Sequence, residues 1–115
     1  MINLKDKKLC ELTLKNIIES KIDFINNNSI FNKEEYMLIN NGELNAYKEI
    51  LIDIELMNEN EFVEKYLGII QDLSIKFESN YFGSDAGKVE ILSGYNNAIV
   101  EVLGYINPKY IFDVN

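Results

Sequence analysis

The chain has 115 residues, 47% of them apolar, enough for one domain around one core. Nineteen acids stand against eleven cations, all of them lysine, for a formal net charge of −8, with no arginine, histidine or tryptophan. These absences exclude Ser-His-Asp and Cys-His nucleophiles, leave the single Cys10 short of an ordinary zinc site, and disfavour nucleic acid, whose phosphates and guanines are best held by arginine.

The first eight residues carry lysines with no long apolar stretch behind them, so no secretory signal is expected. From about Lys7 to Ile25, Leu14, Ile17, Ile18, Ile22 and Ile25 recur at helical spacing. Cys10, Leu12 and Leu14 also alternate as in a strand, but the longer spacing favours helix. Cys10 cannot form an internal disulfide and reads as an inert core cysteine in a reducing, cytoplasmic compartment. Asn26-Asn27-Asn28 reads as a loop. Asn32 then caps a second stretch, with Glu35 three residues later as in a capping box. Its apolar face, Met37, Leu44, Tyr47, Leu51 and Ile54, runs to about Leu56, and Asn40-Asn41-Gly42 is where it can bend or break.

Asn58 and Glu61 repeat the cap for a third stretch bearing Val63, Tyr66, Ile70, Leu73 and Phe77. So short a turn between stretches two and three predicts antiparallel packing. Gly83-Ser84-Asp85-Ala86-Gly87 is a loop. It superficially resembles a phosphate-binding loop, but the glycines are one residue too close, Val89 replaces the needed hydroxyl, and no strand precedes it. The fourth stretch starts near Asp85 and carries Leu92, Tyr95, Ile99, Val102 and Ile106. Gly94 and Gly104 weaken it but allow close helix contacts. Asn107-Pro108 ends it, and Tyr110, Phe112 and Val114 follow as a short strand or an apolar strap. The predicted fold is all-α: a single domain over residues 1–115, a bundle of three or four antiparallel helices with a short apolar C-terminal tail. No run approaches the roughly 20 apolar residues of a membrane span, and the acidity argues against a surface-bound membrane helix.

The most distinctive charge feature lies between Lys48 and Lys65, where Glu49, Asp53, Glu55, Glu59, Glu61 and Glu64 occur without an intervening lysine. A tight turn gathers them at one end of a helical pair. They serve either as a solvated face or as an acidic surface that competes for a basic groove on a protein partner. Phe62 and Tyr66, four residues apart beside the cluster, are the nearest candidates for an aromatic anchor, one of them exposed. The seven tyrosines are expected to sit mainly in the core with their hydroxyls at the rim.

Size, acidity and the tyrosine-rich last helix resemble small proteins of phages and mobile elements in low-GC bacteria, without a motif that would carry residue roles. The expectation is therefore a cytoplasmic binding protein rather than an enzyme, without a cofactor or a catalytic or metal site. It would be a stoichiometric inhibitor or anti-defence protein that blocks a basic surface of its partner through Glu49, Asp53, Glu55, Glu59, Glu61, Phe62, Glu64 and Tyr66. Two alternatives stand beside it. One is an immunity protein against a bacteriocin or toxin. The other is a magnesium-dependent all-α nucleotide hydrolase, with Glu61 and Glu64 sharing the ion with Asp53 or Asp72; all-helical nucleotide pyrophosphohydrolases use such carboxylates, but in a double motif whose second half is missing here.

Overall fold

A computed structural model describes residues 14–27 and 34–112. They form α1 (Leu14–Asn27), α2 (Glu34–Leu56), α3 (Glu59–Glu78), α4 (Ala86–Ile106) and a single turn, α5 (Lys109–Phe112). The expected all-α bundle is what the chain builds. Lys7 to Thr13, Cys10, Asn32 and the end of the tail lie outside the described residues. No helix among those described is long and apolar enough to cross a membrane.

Local signals start and stop the helices. The Asn58 side chain accepts from the Glu61 N–H at 2.9 Å, and the Glu61 carboxylate accepts from the Asn58 N–H at 3.1 Å, completing the capping box of α3. At the other end Asn80 takes the left-handed conformation, φ 57°. The Tyr81 N–H then donates to the Lys76 carbonyl and the Asn80 N–H to that of Phe77, a Schellman ending with asparagine in the usual glycine place. Asp85 caps α4 by accepting from the Lys88 N–H at 3.0 Å, so the glycine-rich segment is a loop and helix cap. Asn107 is extended ahead of Pro108, and its side chain accepts from the Lys109 N–H at 3.0 Å. That bond starts α5, so residues 109–112 are helical rather than a strand.

The four long helices alternate in direction, α3 turning back on α2 so that Lys65 and Tyr66 reach Asp53. Lys15 near the start of α1 meets Glu55 near the end of α2, and Tyr110 just beyond α4 reaches Glu59 at the start of α3. α2 and α4 are therefore parallel, and theirs is the most extensive helix pairing in the fold. α2 does not break at Asn40-Asn41-Gly42. Gly42 lies against α4 so closely that a Cβ there would fall 1.8 Å from the Ile91 carbonyl oxygen. Gly94 repeats the arrangement from the other side, 2.0 Å from the Ile39 oxygen. One turn further along, Ala46 and Ala98 are buried in the same seam. The backbones touch, so the glycine in α2 serves packing and does not end the helix.

One core runs through the bundle. α1 contributes Leu14, Ile18 and Ile25, α2 Tyr47, Ile50 and Ile54, α3 Phe62, Val63, Tyr66 and Ile70, and α4 Ile99, Val102 and Leu103. Burying a side chain of this size fully is worth roughly 1.5–3 kcal/mol, an upper value for an extended reference chain.

Candidate functional site

The six acids between Glu49 and Glu64 are not one free surface. Asp53 on the inner face of α2 is buried, accepting from Lys65 at 2.6 Å and from the Tyr66 hydroxyl at 2.5 Å. Burial alone would raise its carboxyl. The two hydrogen bonds and the Lys65 charge outweigh burial and hold it below the usual carboxylate range. Lys65 also lies 3.6 Å from Glu49, whose other oxygen accepts from Tyr95 at 2.5 Å. Glu59 accepts from Tyr110 at 2.6 Å; burial, then that bond, pushes the phenol up to about 12. Glu61 is occupied by the α3 cap. Glu55 pairs with Lys15 at 3.1 Å in the open, and Glu64 is exposed.

The aromatic anchors require a correction. Phe62 and Tyr66 are both 0% exposed, their rings 4.4 Å apart at 34°. Both belong to the core, because the inner stripe of α3 includes positions 62, 63, 66 and 70. In their place α2 turns two aliphatic side chains outward at the same end: Ile52 and Leu56, one turn apart, are 63% and 66% exposed. With Glu55 between them in sequence and Glu61 and Glu64 on the next helix, this end presents an apolar pair in an acidic setting. Sequence spacing places Leu56 only at the end of a helix, and Ile52 stands in an unbroken apolar run, Ile50-Leu51-Ile52, that does not mark it as outward-facing.

The magnesium arrangement is not assembled. Asp53 is bound to Lys65 and Tyr66, Asp72 pairs with Lys76 one turn on at 3.0 Å, and Glu61 holds a helix cap. Among the described residues no three Asp, Glu or Cys side chains converge as a cation site.

A second polar group carries no motif in the sequence. Glu101 of α4 binds Lys21 of α1 and accepts from Tyr47 of α2 at 3.0 Å and from Tyr105 at 2.8 Å. Burial raises its carboxyl, but these three partners bring it below the usual range. Tyr47 and Tyr95 thus cross the α2–α4 seam in opposite directions, each ending on a carboxylate of the other helix. Their phenols are pushed well above the ordinary value, first by burial and then by the adjacent negative charge. The i,i+4 spacing of Glu101 and Tyr105 was readable; the choice of partner across the seam was not.

No protein-family model matches the chain, and neither does any curated protein or solved structure.

Proposed function

We propose that the chain acts by stoichiometric binding, as a small acidic cytoplasmic inhibitor of the anti-defence type that covers a basic surface on a protein partner. The observation that carries this reading is the exposed Ile52–Leu56 pair at the acidic end of the α2–α3 hairpin. Exposed carboxylates there steer a basic partner into place, while desolvated apolar side chains supply the hold. The net charge of −8 favours such a partner over an acidic one.

The test is capture from host lysate by the wild-type chain and two variants. Ile52→Ser with Leu56→Ser should keep the fold and lose the partner by faster dissociation. Glu55→Lys with Glu61→Gln and Glu64→Lys should slow association, with glutamine preserving the α3 cap. Retention should fall at about 1 M salt, where charges are screened beyond roughly 3 Å. A partner held equally by all three proteins, or unaffected by salt, would overturn the reading. Recovery of a toxin encoded beside the chain would make the inhibitor an immunity protein.

A further inference from the structure

We infer that a cleft between α1, α2 and α4 accepts a guanidinium group on an alkyl chain, as an arginine side chain carries it. The cleft measures about 270 Å3, and Lys21, Phe24, Tyr36, Glu43, Tyr47 and Glu101 contribute to its walls. Its charge does not balance. Lys21 is bound to Glu101, whose second oxygen takes the Tyr47 hydroxyl. Glu43 makes no hydrogen bond or ion pair among the described residues. Burial and then the neighbouring Glu101 charge raise its carboxyl, and Lys21 offsets them only in part. Among the described residues one cation stands against two carboxylates, which leaves a single negative charge to be matched.

The rest of the wall selects the kind of cation. Phe24 and Tyr36 are 56% and 42% exposed, so aromatic surface accompanies the unmatched carboxylate. A guanidinium is planar, weakly hydrated, stacks on aromatic faces and forks onto a carboxylate. An ammonium is compact and strongly hydrated, and loses more on leaving water. The chain contains no arginine, so neither another part of it nor a second copy can supply the group. Glu43 and Leu56 lie about 20 Å apart along α2, so this cleft and the hairpin end can each fail without the other.

The experiment is an NMR titration of the labelled protein with the capped tripeptide Gly-Arg-Gly, its citrulline and lysine counterparts, and agmatine. The arginine peptide should shift the amides of Phe24, Tyr36 and Glu43 saturably, with affinity in the millimolar range, about −4 kcal/mol. Citrulline keeps the shape without the charge and should bind at least about tenfold more weakly, as should Glu43→Gln toward arginine. That variant should retain the helical circular dichroism and melt no lower than wild type, since it removes an unmatched charge. Tighter binding of the tripeptide than of agmatine identifies the source as a partner's side chain; the reverse order identifies a free guanidine. Equal binding of arginine and citrulline peptides, an unaltered titration of Glu43→Gln, or no saturable shift at about 10 mM would overturn the inference.

Discussion

At Asp53 a carboxylate is buried beside a tyrosine hydroxyl and a lysine that remains about one third exposed, its side chain at 35%. Removing either donor leaves a charge with too few partners in a poor solvent. Tyr66→Phe should cost about 1–2 kcal/mol, because the bond it removes is charge-assisted. Lys65→Met should cost about 2 kcal/mol, less than for a fully buried pair because of that exposure. The pH dependence follows from the lowered carboxyl. A carboxylate whose folded value lies below its unfolded one stabilises the fold above about pH 4 and loses that contribution as pH falls through the folded value. The gap between wild type and Lys65→Met should therefore be full near pH 6 and close toward pH 2, as measured by urea unfolding. A gap that stays constant with pH would mean that Lys65 contributes packing alone.

Among the helices, what could be read from the sequence was what depends on neighbours in the chain. The stripes of α3 and α4, the Asn58–Glu61 box, the Asp85 cap and the stop at Asn107-Pro108 are all local, and each forms. Contacts between distant segments were hidden. Asn40-Asn41-Gly42 has the composition of a break, and only the α4 backbone explains why the helix continues through it. The acidic interval looked like a surface because its counter-groups, Tyr95, Tyr110 and Lys15, come from elsewhere in the chain. Phe62 and Tyr66 share a side as their spacing predicted, but that side is the core. The glycines permit a test with opposite signs. Alanine normally favours a helix over glycine by about 1 kcal/mol. Nothing lies within 4 Å of a Cβ at Gly68 on α3, so Gly68→Ala should gain about that much. Gly42→Ala and Gly94→Ala should instead lose about 3 kcal/mol or more, because the obstructing atoms are backbone and cannot swing aside. Thermal melts of the three variants decide it; a stabilised Gly42→Ala would mean that α2 and α4 do not touch there.

For the molecule as a whole, the same four carboxylate–tyrosine bonds that tie helices together also determine how much of the −8 faces outward. Glu49, Asp53, Glu59 and Glu101 each accept from a tyrosine on another helix, so a chain without arginine braces its interior with phenols. Between Glu49 and Glu64 the exposed carboxylates are those of Glu55, Glu61 and Glu64, so at this end of the molecule the charge open to a partner is smaller and more localised than composition suggests. The glycine seam has a further consequence, for how the chain can change in length. Contact between the two backbones, rather than the reach of any connection, sets where α2 sits along α4. Two residues inserted between Gly83 and Ser84 should therefore cost only a few tenths of a kcal/mol in loop closure and lower Tm by a few degrees at most. A much larger fall in the melting curve would show that the loop itself holds the register. The loop between α3 and α4 should therefore tolerate a change of length, whereas the four-residue steps from Gly42 to Ala46 and from Gly94 to Ala98 should not.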